Sequence, residues 1–255
     1  MNGMRHASII HEVDAGKFSV RGVLIHGRKF QLVWDTLTHP RDMAGFAEAC
    51  AGRQCIVVYS HADWDHVQGT AALLNPLVIG HRECARRFQT EARQTLAELQ
   101  AEDADKWAGV ELVAPDITFE SRLDLDLGGL VVSLHALPGH TPDSIVAFIP
   151  AMGLLLTGDA VELPCPYVPP DCDLDAWIQS LERWRDHAQV RRIITSHGPS
   201  GGKEILDSAI DYLTGLREGA PRPMPKGVRP MYVSTHAENL KNCTPRASAT
   251  PARSF

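Results

Sequence analysis

Among the 255 residues there is no Cys-x-x-Cys pair, no membrane-length apolar run, and no basic stripe before the last 36 residues. Each absence removes a class of protein. Cys50, Cys55, Cys84, Cys165, Cys172 and Cys243 are scattered, and in a chain of this size they read as reduced thiols rather than bridges. A membrane span needs roughly 18 or more apolar residues, and Ile145 to Ile149 is among the longest apolar runs present. The opening MNGMRHASIIHEVD has no basic region followed by an apolar stretch, so no secretory signal and no membrane partner are expected, and the chain reads as cytoplasmic. The 25 basic and 31 acidic residues give a net charge of −6 without a basic patch, which argues against a nucleic-acid partner.

What remains is ordinary globular material. With 44% hydrophobic and 22% charged residues the chain can build one large core without disulfide or metal staples. Residues 18–35 read as two strands, 41–51 as a short helix, and Cys55 to Tyr59 as a compact apolar strand followed by a loop. Ala85, Phe88, Ala92, Leu96 and Leu99 recur at three- or four-residue spacing, which predicts one long helix over 82–107. Strands are expected at 117–119, 123–127, 131–137, 144–149 and 154–157, with Gly128-Gly129 as a hairpin turn. Helices are expected after Asp173 and over 203–217, with a short strand at 192–195 between them. Strands followed by helices, twice over, indicate an α+β layered fold. Residues 1–219 form the expected domain; 220–255, Pro-rich and basic, read as a mostly extended tail with at most a turn of helix near 236–241.

The chemistry concentrates in Ser60-His61-Ala62-Asp63-Trp64-Asp65-His66, two imidazoles and three carboxylate or hydroxyl neighbours directly after an apolar strand. Imidazole and carboxylate donors suit zinc, iron or manganese. Three later segments repeat the pattern of strand end, glycine and ligand-type residue: Pro138-Gly-His140, Thr157-Gly-Asp159 and Ser196-His197-Gly198. Taken singly each is a turn; in this order and number they describe a metal site.

With these residues in place the sequence resembles the metallo-β-lactamase superfamily of metal-dependent hydrolases. The HxHxDH motif of that family appears here as HADWDH, with His140, Asp159 and His197 following at spacings of 74, 19 and 38 residues. The resemblance covers about residues 18–218 and implies a four-layer αβ/βα sandwich. It also implies two divalent ions: His61, Asp63 and His140 would hold the first, Asp65, His66 and His197 the second, and Asp159 would bridge them. A hydroxide between the ions would be the nucleophile, and Asp65 would steer it or take its proton. Asp35, ending the strand QLVWDT, matches an early family aspartate that supports the motif loop from behind.

One position departs from the pattern: Asp63 stands where the family has its second histidine. An added carboxylate makes the site less positive, which keeps iron and manganese open beside zinc, or Asp63 is too short to reach. Trp64 and Tyr167 are candidates for the substrate pocket; the alternative is a plain packing role for Trp64 and an exposed ring on a rigid Pro-rich connection for Tyr167. His39, His81 and His187 read as solvated or capping, and His135 as a histidine of the core or one that supports the site from behind. The expected activity is hydrolysis of a small-molecule ester, thioester or lactone. A di-iron redox protein of the same superfamily and a non-catalytic binding protein on the same scaffold are the competing readings. A homo-oligomer is left open.

Overall fold

Eleven strands divide between two sheets in this computed structural model, which describes residues 8–243. The first sheet contains β1 (Ser8–Asp14), β2 (Ser19–His26), β3 (Phe30–Trp34), β4 (Gln54–Val58), β5 (Leu77–His81) and β6 (Ile117–Phe119), in that spatial order. The second runs β11 (Arg192–Ile194), β10 (Leu154–Leu156), β9 (Ile145–Ile149), β8 (Val131–Ala136), β7 (Arg122–Asp126). β1 to β3 form an antiparallel meander, and β3 to β6 then pair in parallel through helical crossovers. The helices are α1 (Ala44–Cys50), α2 (Trp64–Val67), α3 (Arg82–Gln89), α4 (Glu91–Glu102), α5 (Leu174–Asp186), α6 (Glu204–Arg217) and α7 (Pro230–Cys243).

The side-chain alternation of the strands builds three apolar layers between four structural ones. Val23, Ile25, Leu32, Trp34, Ile56 and Val58 of the first sheet meet Val132, Leu134, Ile145, Ala147 and Leu156 of the second. The opposite face of the first sheet (Leu24, Val33, Val57, Val78) packs on Phe46 of α1 and Cys84 and Phe88 of α3. The outer face of the second (Val146, Phe148, Leu155, Ile193) packs on Trp177, Leu181, Leu206, Ala209 and Leu213 of α5 and α6. This is the αβ/βα sandwich.

Two expectations need correction, and one strand is unforeseen. The helix expected over 82–107 is two, broken at Thr90, whose φ/ψ of −124°/−87° is outside the helical region. The unforeseen strand is β1 (Ser8–Asp14), in a segment with no period strong enough to announce it. The tail is not extended from 220: Pro230–Cys243 is a 14-residue helix that buries Tyr232 and Asn239. Pro230 sits at its first position, where a missing N–H costs nothing, so the proline that suggested extended chain starts the helix instead. Residues 244–255 of the tail lie outside the described residues.

Candidate metal centre

Loops leaving β3, β4, β8, β10 and β11 gather at one edge of the sandwich, and each carries a residue of the predicted set. Asp35 follows β3, with φ +58°, and is fully buried. Its Oδ1 accepts from the Ser60 backbone N–H at 2.7 Å, and its Oδ2 accepts from Ser60 Oγ at 2.8 Å, His66 Nδ1 at 2.9 Å and Ser196 Oγ at 3.3 Å. One carboxylate therefore ties together the loops that carry His61, His66 and His197. Gly158 has φ +53°, and a Cβ there would lie 2.6 Å from Ser60 Cβ, so only glycine lets the Asp159 turn approach the motif loop this closely.

The four histidines share one orientation. His61 Nδ1 donates to Ser60 Oγ (2.9 Å), His66 Nδ1 to Asp35, His140 Nδ1 to the Tyr167 carbonyl (3.2 Å) and His197 Nδ1 to the Ser19 carbonyl (2.8 Å). With Nδ1 protonated and engaged, the neutral ring presents the Nε2 lone pair, the arrangement that metal-binding histidines adopt. His61, His66 and His140 Nε2 are buried with no hydrogen-bond partner, as is Asp159 Oδ1. Buried polar atoms without partners are costly, and these face one another across a small space. The residues therefore fit the metal ions that the motif implies.

Their grouping is specific. One ligand atom each from His61, Asp63 and His140 lie within 4.8 Å of one another, as do those of Asp65, His66 and His197; a third set, His61, His66 and Asp159, joins the two. Asp63 does reach: its Oδ2 is 3.4 Å from His61 Nε2 and 3.5 Å from His140 Nε2. Asp159 Oδ2 stands 3.2 Å from His197 Nε2 and 3.8 Å from the Nε2 atoms of His61 and His140, and its Oδ1 is 3.5 Å from His66 Nε2. Asp65 Oδ2 is 3.2 Å from His197 Nε2 and 3.5 Å from His66 Nε2. These overlapping clusters form a site of dinuclear type.

The electrostatics agree. Burial works against the charged forms of Asp63, Asp65, His66, His140, Asp159 and His197, yet opposite charges outweigh it. Burial lowers the basicity of His140, but Asp63 and Asp159 lift it to about 9. The carboxylates of Asp159 and its neighbours likewise raise His66 and His197 well above the ordinary imidazole range, against the same burial penalty. Desolvation would raise Asp63, but His61, His140 and Arg87 hold it well below the usual carboxylate range.

A cavity of about 160 Å³ opens above the cluster. Besides the ligand-type residues its walls are Phe18, Trp64, Glu162, Tyr167, Met231 and Thr235. Trp64 stands edge-on to Phe18 and to Trp107, with ring centroids 5.9 and 5.5 Å apart, and Phe18 stands edge-on to His197 at 5.0 Å. Trp64 thus packs and lines the cavity at once, and Tyr167 is a wall rather than an exposed ring. His39 and His81 cap helix N-termini, accepting from the backbone N–H of Arg41 and Glu83.

Sequence reasoning missed Arg87, Asp143, Glu162, Phe18 and the α7 residues Met231 and Thr235. Glu162 follows Asp159 by three residues and is pushed up to about 7, by burial above all, next to the Tyr232 hydroxyl. No periodicity or motif marks these positions; the walls come from elements distant in sequence.

The family model of the metallo-beta-lactamase superfamily matches residues 15–197. The chain belongs to that superfamily. It is 30% identical over 108 residues to the hydroxyacylglutathione hydrolase of Anaeromyxobacter dehalogenans (strain 2CP-C), covering 41% of this chain and 32% of that protein. It is 28% identical over 129 residues to the linear primary-alkylsulfatase of Pseudomonas sp. (strain ATCC 19151), covering 46% of this chain and 24% of that one. The chain thus spans a third or less of the length of these curated relatives. An archaeal metallo-beta-lactamase superfamily protein from Sulfolobus tokodaii superposes with a TM-score of 0.68 at 16% identity, over 93% of this chain and 98% of the other. That likeness is one of fold. No helix among the described residues is long and apolar enough to cross a membrane.

Proposed function

We propose that this protein is a dinuclear metal-dependent hydrolase of a small, uncharged acyl substrate: an ester, a thioester or a lactone. The observation that carries the reading is the convergence of unpartnered Nε2 atoms on the Asp159 carboxylate. Zinc suits the imidazole and carboxylate donors best, with iron or manganese as the alternatives that metal analysis distinguishes. When bound, such ions acidify water and polarise the substrate carbonyl.

The chain's own residues supply the rest. Asp65 stands inside the cluster with Oδ2 turned to His66 and His197, and that carboxylate takes the proton of the attacking water. Asp35, Ser19 and the Tyr167 carbonyl hold the imidazoles in one tautomer through their Nδ1 atoms. Phe18, Trp64, Tyr167 and Met231 shield the reacting centre from bulk water and fit an apolar acyl or leaving group.

The choice of an uncharged substrate rests on the walls of the cavity. Neither lysine nor arginine is among its lining residues, and Glu162 adds a further carboxyl. Beyond the two ions themselves, a sulfate or phosphate ester calls for side-chain cations to pair its remaining charge, and this wall offers none. One curated relative is named a hydroxyacylglutathione hydrolase and the other a linear primary-alkylsulfatase, and the lining favours acyl over sulfate-ester chemistry. A cytoplasmic location accompanies this reading, supported by six free thiols.

The test is turnover on a panel of short-chain aryl esters, acyl thioesters, lactones and alkyl sulfates, measured as purified, after chelation and after zinc return. Turnover of acyl substrates that vanishes on chelation and returns with metal is expected. Full turnover by metal-free protein, or turnover confined to sulfate esters, would contradict the proposal.

A further inference from the structure

Asp63 departs from the family motif, and the structure pairs it with a residue that no motif contains. Arg87, on α3, has a side chain only 13% exposed. Its guanidinium forms three short charge-assisted bonds: Nη2 to Asp63 Oδ1 at 2.6 Å, Nη1 to Asp143 Oδ1 at 2.6 Å, and Nε to Glu91 Oε2 at 2.7 Å. Asp143 is fully buried, and its other oxygen accepts from the Ala62 backbone N–H at 2.8 Å. One guanidinium therefore fastens the motif loop twice, at Asp63 directly and at Ala62 through Asp143.

An aspartate in place of a histidine brings two difficulties. It is shorter, and it offers two equivalent oxygens on a freely turning carboxylate. With a side chain 31% exposed, Asp63 would be free to turn toward water. Here Oδ1 is occupied by Arg87, and only Oδ2 is left facing His61 and His140 Nε2. The guanidinium also offsets part of the negative charge that the substitution adds. A planar guanidinium that holds three carboxylates at once is a task for arginine and not for lysine.

We infer that Arg87 is a positioning residue of the metal centre, which makes Asp63 a one-atom ligand standing in for the usual imidazole. The inference rests on the dinuclear reading proposed above. Asp63 and Arg87 are then one functional unit: neither can be exchanged alone without weakening the hold on the ion among His61, Asp63 and His140.

Zinc content and zinc affinity of the full chain, measured by elemental analysis and competition with a chromophoric chelator, test this directly. Wild-type protein is expected to hold two ions. Arg87→Met should lose affinity at one of the two sites by roughly 10–100-fold, the usual effect of removing a partner that orients a ligand, with the other site unchanged. Arg87→Lys should show the same single-site loss to a lesser degree, and it carries the test should the methionine variant fail to fold. Asp63→His should bind the first ion weakly while Arg87 remains, and Asp63→His/Arg87→Met should recover it. Equal affinity for both ions in wild type and Arg87→Lys would overturn the inference. So would a loss that falls on both sites alike and tracks a lowered melting temperature of the ion-free protein, since that is a purely structural effect. Wild-type protein that binds none of zinc, iron and manganese tightly would instead remove the dinuclear reading, and this inference with it.

Discussion

Asn239, on the C-terminal helix, donates its Nδ2 to the carbonyl of Pro166 at 2.7 Å. Its Oδ1 accepts from the Val168 N–H at 2.8 Å, so one fully buried amide grips the backbone on both sides of Tyr167. The Tyr167 carbonyl in turn accepts from His140 Nδ1. The helix that supplies Met231 and Thr235 to the cavity thus also holds the loop that orients a histidine of the site.

Asn239→Ala leaves buried backbone groups of that loop without partners, which costs about 1–3 kcal/mol per group. Chemical denaturation should show a destabilisation of about 2 kcal/mol. In steady-state kinetics KM should rise more than kcat falls, because the cavity wall loosens while most of the ligand set stays in place.

Asp35→Asn separates the charge at this position from its backbone role. Asparagine tolerates the left-handed φ of +58° that Asp35 adopts, but it lacks the second acceptor that serves His66, Ser60 and Ser196. Zinc affinity should fall roughly 10–100-fold, measured by chelator competition, with far-ultraviolet circular dichroism unchanged.

Gly158→Ala should destabilise the protein by about 3 kcal/mol. The new Cβ meets Ser60 Cβ at 2.6 Å in a conformation, φ +53°, that alanine rarely adopts. Thermal melts of the ion-free protein should report the loss, and the displaced Asp159 should lower zinc content as well.

The ion-free protein should lose stability as the solution becomes alkaline. His140 has its pKa raised from 6.5 to about 9, burial being outweighed by Asp63 and Asp159. A raised imidazole pKa contributes stability that is complete below about 6.5 and is lost as the pH climbs through about 9. His66 and His197, also raised, act in the same direction. Asp63 and Asp159, both lowered, contribute stability that is present above 3.8 and lost on acidification below it. Melting temperatures across this range should fall at both ends without metal. Zinc binding at neutral pH should release protons, visible as a dependence of the calorimetric heat on the buffer's ionisation enthalpy.

The ligand set was legible because its grammar is local: an apolar strand, then a donor with a glycine beside it, repeated at His140, Asp159 and His197. Asp35 was legible through the family resemblance, as the aspartate that ends the strand QLVWDT. Arg87 was not, because a helix of mixed charge offers many arginines, and only the tertiary path of α3 over the motif loop singles this one out. Phe18, Glu162 and Met231 belong to the same category, being brought to the cavity by packing between elements far apart in the chain. The tail misled through composition: proline and basic residues suggested extended chain, while Tyr232 and Asn239 supply the buried contacts that fold it. The break at Thr90 was hidden because an apolar stripe continues on both sides of it.

The most direct test is crystallographic: zinc-loaded protein with anomalous diffraction collected at the metal edge. The account predicts two peaks about 4 Å apart, as in two-metal hydrolytic sites, one among His61, Asp63 and His140 and the other among Asp65, His66 and His197, with Asp159 between them. Loaded crystals with no metal at these residues, or with the four imidazoles turned so that Nδ1 rather than Nε2 faces the centre, would contradict it.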